Sequence, residues 1–171
     1  MPTPSATAAR LVFQCDELLA LAKAHEGGEL ARYRRLAFGF LTFNTAISRL
    51  MASLGIECEK RLDTLRHAAR QQETEATPFD GNDRRPAVET RHAASPFGFI
   101  SHYGMAIDTL HQAVADADYS RRFYEHLQMA SAVPAFHPTL TAIIKQKRVE
   151  CDVLQEYLSS SDDLRYRASV G

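Results

Sequence analysis

Two charged side chains stand in the middle of apolar helical stripes, and they are the first candidates for chemistry. Glu26 has Ala22 and Leu30 four residues to either side and Leu19 and Tyr33 seven to either side, all on one face at 100° per residue. Lys147 has the same frame, with Ile143 and Cys151 at four and Leu140 and Leu154 at seven, while Glu150 borders the stripe three residues on. A carboxylate in such a place must meet a cation, because an unpaired buried charge is costly. Two alternatives stay open: a local rotation at Gly27-Gly28 that turns Glu26 outward, and a Lys147 whose stem lines the core edge while its head reaches water.

Other chemistries find little support. Glycine-rich phosphate loops, a Gly-x-Ser-x-Gly elbow and a dinucleotide fingerprint are absent. Cys15, Cys58 and Cys151 include no Cys-x-x-Cys pair, so they define neither a zinc cluster nor a disulfide framework and suit a reducing compartment. His25 adjoins Glu26 but points about 100° away on a helix, and His92, His102 and His111 form no spacing that would place two of them on one helical face with a carboxylate, so the histidines are read as solvated or capping residues. Asp80-Gly81-Asn82-Asp83 lacks the alternating oxygens of a calcium loop and reads as a turn.

The elements that must position Glu26 and Lys147 are helices. The chain has 171 residues, 45% of them hydrophobic and 24% charged, which fits one soluble globular domain over 1–171. Its 20 basic and 21 acidic side chains give a net charge of -1, against a nucleic-acid platform or a polybasic membrane binder. Residues 1–22 carry Asp16 and Glu17 and have no run able to span a bilayer, so neither signal peptide nor anchor is expected, and the expected compartment is the cytoplasm. Apolar periodicity predicts helices over about 8–41, 44–71, 100–131 and 138–160, with Asn44 as N-cap of the second and Ser95-Pro96 opening the approach to the third. From Ser159 the chain reads as a helix end and fraying tail. The gap of about 73–99 holds Pro78, Pro86 and the Asp80 to Asp83 cluster. Helices of about 25 residues are roughly 38 Å long, so a gap of this size suits a crossover that returns along the bundle between two antiparallel hairpins.

The two hairpins overlay. Ala117 takes the frame of Glu26, with Leu110 and Tyr124 at seven and Ala113 at minus four, 91 residues later. Cys58 is central in the second helix with Arg61 at plus three, as Glu150 follows Lys147 89 residues on. With Glu26 and Tyr33 seven apart, the matching Tyr124, the central pairs at three-residue spacing and the long gap, the chain from about Leu18 to Leu158 resembles the ferritin-like superfamily, and within it rubrerythrin-like proteins. The resemblance implies an all-α ferritin-like four-helix bundle. It also implies two iron ions held by a Glu from the first and third helices and a Glu-x-x-His pair from the second and fourth. In this chain those positions read Glu26, Ala117, Cys58 with Arg61, and Lys147 with Glu150.

Only Glu26 keeps its motif type, and the departures balance in charge: Glu26 and Glu150 against Arg61 and Lys147. The expectation is therefore a central ion-pair cluster of these four residues, lined by Tyr33, Cys58, Ala117 and Tyr124, with no metal and no catalytic group. A second register, Glu57 with Lys60, has the same spacing, but Cys58 falls on the stripe and Glu57 at its edge. The functional expectation is a non-catalytic binding, assembly or structural protein without cofactor. The alternative is a rubrerythrin-like oxidoreductase or peroxidase holding iron through Glu26, Glu57 and Glu150. The partner is left open, with a homodimer among the candidates and neither nucleic acid nor membrane expected.

Overall fold

The computed structural model describes the backbone over residues 4–75 and 98–170, and the side chains over 16–71 and 98–160. Four long helices make up nearly all of it: α1 (Pro4–Phe40), α2 (Thr45–Glu75), α3 (Tyr103–Ala130) and α4 (His137–Val170). No strand occurs among the described residues, and none of the helices is long and apolar enough to cross a membrane.

α1 runs unbroken through Gly27 and Gly28, and no described residue has a positive φ. It ends in a tight turn in which Phe43 and Asn44 both donate their N–H to the Phe40 carbonyl. Asn44 then caps α2, its Oδ1 accepting from Ala46 N at 3.0 Å and Ile47 N at 3.2 Å, which satisfies donors that the first turn of a helix leaves open. Ser48 Oγ donates back to the Ala37 carbonyl at 2.7 Å and pins the second helix to the first.

The start of α3 and the end of α4 differ from the sequence expectation. α3 begins at Tyr103, with His102 as its N-cap: the residue is extended, and its Nδ1 accepts from Met105 N at 3.2 Å. The predicted Ser95-Pro96 opening lies outside the described residues, as does most of the expected crossover. Residues 98–102 are not helical, and Ile100 donates to the Gly39 carbonyl at 3.0 Å, so the approach to α3 is tied to the end of α1 instead of continuing a helix. α4 does not fray at Ser159 but stays helical to Val170. The Ser159 and Ser160 hydroxyls turn back to the carbonyls of Gln155 and Glu156, so they bond within the helix instead of competing with it. α3 ends at Ala130, and a single 3₁₀ turn, Pro134–Phe136, leads into α4.

The buried apolar residues fall into two clusters. One joins Tyr33, Leu36 and Phe40 of α1 to Ile47, Met51, Leu54 and Cys58 of α2, Ala106 to Ala117 of α3, and Leu154 and Leu158 of α4. The other joins Leu19 and Ala22, Leu65, Tyr124 and Leu127, and Leu140, Ile143 and Ile144. The late part of α1 thus packs with the early parts of α2 and α3 and the late part of α4, which makes α1/α2 and α3/α4 antiparallel pairs. Between the clusters lies a layer of charge.

Candidate functional site

Each helix brings to this layer residues that its own stripe would otherwise fill with apolar groups. α1 supplies Glu26, Glu29, Arg32 and Tyr33, α2 supplies Cys58 and Arg61, α3 supplies Ala117 and Tyr124, and α4 supplies Lys147 and Glu150. Three- and four-residue steps keep the members of each helix on one face. Glu26 and Lys147 are fully buried, and Arg61 and Glu150 are 2% and 3% exposed.

Arg61 bridges two carboxylates, with Nε 3.0 Å from Glu26 Oε2 and Nη2 2.9 Å from Glu150 Oε2. The same Nη2 lies 3.2 Å from Cys58 Sγ. Lys147 Nζ is enclosed by three carboxylates, at 3.2 Å from Glu26 Oε1, 3.6 Å from Glu150 Oε1 and 3.7 Å from Glu29 Oε2. Only the first lies within hydrogen-bond reach and it is not aligned as one, so Nζ is held in the layer by charge. Tyr33 donates to Glu150 Oε1 at 2.5 Å, and Tyr124 donates to the Ala22 carbonyl over a long 3.4 Å beside Glu26. Ala117 is fully buried in the layer's α3 wall and brings no charge.

Two members were missed from the sequence. Glu29 is buried and bonded twice by Arg32, with Nε to Oε1 at 3.2 Å and Nη2 to Oε2 at 2.7 Å. Arg32 also stacks over the Tyr33 ring at 4.3 Å and stands 3.6 Å from Asp116. The signal was the Glu26-x-x-Glu29-x-x-Arg32 spacing, which keeps all three on one side of α1. With them the layer holds three carboxylates, Glu26, Glu29 and Glu150, against three cations, Arg32, Arg61 and Lys147. His25 also departs from its solvated reading. Its Nε2 lies 2.8 Å from Ser120 Oγ, and its ring stacks on Phe123 at 4.1 Å, so it ties α1 to α3.

The alternative register is not the buried one. Glu57 and Lys60 pair with each other at 2.7 Å on the surface, their side chains 43% and 66% exposed, while Cys58 is fully buried. Glu57 is thus a surface residue, whereas Glu26 and Glu150 are buried.

Electrostatics follow from this packing. Burial alone would raise the Glu26 carboxyl, but Lys147 and Arg61 outweigh it and hold it below the usual carboxylate range. Glu29 is likewise lowered against its burial, by Arg32 above all. Burial, reinforced by the Glu150 charge, pushes the Tyr33 phenol well above its ordinary value, and burial lifts the Cys58 thiol to about 12. Cys58 is thus a protonated thiol, and Tyr33 serves as a hydrogen-bond donor.

Iron fits this set poorly. Lys147 Nζ occupies the space between three carboxylates, and Arg61 engages two of them, so a divalent ion would have to displace a cation before finding a ligand. Among the described residues no group of three or more His, Cys, Asp or Glu is arranged to hold a metal ion. Compared with protein-family models, curated proteins and solved structures, the chain matches none.

Proposed function

We propose that this chain is a ferritin-like bundle in which a charge-balanced ion-pair layer stands where a di-iron centre would be, and that it acts as a non-catalytic binding, assembly or structural protein. The observation that carries this is Lys147 Nζ, an ammonium within 3.2 to 3.7 Å of three buried carboxylates. A divalent ion among carboxylates neutralises their repulsion in a low-dielectric interior, and here a covalently tethered cation serves that purpose.

The topology adds support. The late half of α2 and the early half of α3 belong to different apolar clusters, so a connection along the length of the bundle would have to join them. Di-iron redox chemistry needs open coordination positions on metal ions, and the positions Ala117, Arg61 and Lys147 offer no ligand for one.

The test is metal analysis of the full chain purified without chelator or affinity tag and then equilibrated with ferrous iron. The expected outcome is no stoichiometric iron and no ferroxidase or peroxidase turnover. Two tightly held ions per chain would overturn the proposal.

A further inference from the structure

The seams between the two hairpins each carry a groove, and the one between α1 and α3 has walls of opposite charge. It is half open to solvent, with a volume of about 450 Å³, and its lining includes Arg35 and Arg32 from α1 and Asp108 and Asp116 from α3. Leu36 and Ala113, both buried, form an apolar floor. Arg32 and Asp116 are already engaged, the first by Glu29 and the second by the Gln112 amide at 2.8 Å. Arg35, half-buried, and Asp108, exposed, are not: among the described residues neither has a hydrogen-bond or ion-pair partner, although both face the same groove.

We infer that the α1/α3 groove binds a small zwitterion, an α-amino acid with an apolar side chain, through its carboxylate on Arg35, its ammonium on Asp108 and its side chain on Leu36 and Ala113. The charge pattern selects this class. A lone anion attracted by Arg35 is opposed by Asp108, and a lone cation attracted by Asp108 is opposed by Arg35. A guanidinium matches a carboxylate with two parallel donors, and a carboxylate accepts from an ammonium, so each wall meets the complementary end of one molecule. A ligand bearing both charges satisfies the two groups at once, and an aliphatic side chain lying along the groove takes its own apolar surface out of water. The inference does not depend on the ancestry of the charged core.

The test is calorimetric titration of the full chain at low salt with L-leucine. Two half-ligands serve as comparison: 4-methylpentanoate, which lacks the ammonium, and 3-methylbutylamine, which lacks the carboxylate. Saturable one-to-one binding of L-leucine is expected, weakened at least tenfold for either half-ligand. Arg35→Gln and Asp108→Asn should each weaken L-leucine binding at least tenfold while leaving the melting temperature of the free protein unchanged, because neither side chain has a partner to lose. Arg34→Gln, whose side chain pairs with Glu59 outside the groove, should leave the affinity as it was. No saturable heat with L-leucine at millimolar concentration overturns the inference. So does binding that both groove variants leave intact, or inorganic phosphate binding more tightly than L-leucine. The half-ligand comparison keeps the test decisive even if a variant fails to fold.

Discussion

Lys147 carries a full charge with no exposed surface, so its worth is set by the carboxylates around it. Lys147→Ala leaves Glu26, Glu29 and Glu150 with two guanidinium groups between them, and removing one partner of a buried charge pair costs about 3 to 5 kcal/mol. The expected result in urea unfolding is a loss of that order. Glu57→Ala, which breaks an exposed pair, should cost less than about 1 kcal/mol. A Lys147→Ala chain as stable as the parent would mean that the ammonium reaches water. His25 gives a pH dependence of definite sign. Burial holds its pKa below 6.5, so in the window beneath 6.5 the unfolded chain binds more protons than the folded one. The stabilisation is complete above pH 6.5 and is lost as pH falls through the folded value, with Glu26 and Glu29 adding a further loss below 4.5. Chemical denaturation of His25→Gln from pH 7 down to about pH 5 should show a flatter decline than the parent; an unchanged slope counts against a half-buried neutral imidazole. Glu26 and Lys147 were legible in the sequence because a charge within an apolar stripe contradicts the stripe's own pattern, and Arg61 and Glu150 because the overlay of the two hairpins sets each three residues beyond a central position. Glu29 and Arg32 were not, because an acid and a base three apart on a stripe edge look the same whether solvated or buried. His25 was hidden too, since its partner Ser120 is 95 residues away.

At the scale of the helices, periodicity was enough to find all four and to fix the turn at Asn44, whose side chain caps α2 as expected. It failed where side chains other than the apolar ones decide the boundary. His102 starts α3 through a ring nitrogen, and α4 runs on past Ser159 and Ser160, whose hydroxyls bond back to its own carbonyls, neither of which hydrophobic spacing encodes. Gly27 offers a test of α1 as one continuous helix through the charged layer. It has helical backbone without positive φ, and a Cβ added there meets nothing within 4 Å. Gly27→Ala should therefore stabilise the protein by up to about 1 kcal/mol, the difference in helix propensity, measured as a rise in the urea midpoint. A destabilised variant would mean that the helix is interrupted between Glu26 and Glu29. Gly55 differs, because its missing side chain faces Leu30 Cδ1 and Tyr33 Cβ, both 3.7 Å from where a Cβ would stand, and this is where α2 approaches α1.

Across the whole molecule, the charged layer divides the interior into two apolar clusters and supplies polar ties between the hairpins: Glu26 to Lys147, Arg61 to Glu150, and Tyr33 to Glu150. Such a layer selects one alignment of the hairpins, because sliding one of them by a helical turn would set charges against apolar groups. The same positional logic underlies the proposed relation to a di-iron centre, and it can be tested by putting the ligands back. The variant combines Cys58→Glu, Arg61→His, Ala117→Glu, Lys147→Glu and Glu150→His with the native Glu26, and it is refolded in the presence of ferrous iron to neutralise the new carboxylates. If the layer stands in the frame of a di-iron site, the helical variant should bind two iron ions per chain while the parent binds none. A variant that is helical by circular dichroism and still holds no iron would contradict the correspondence of positions on which the proposal rests.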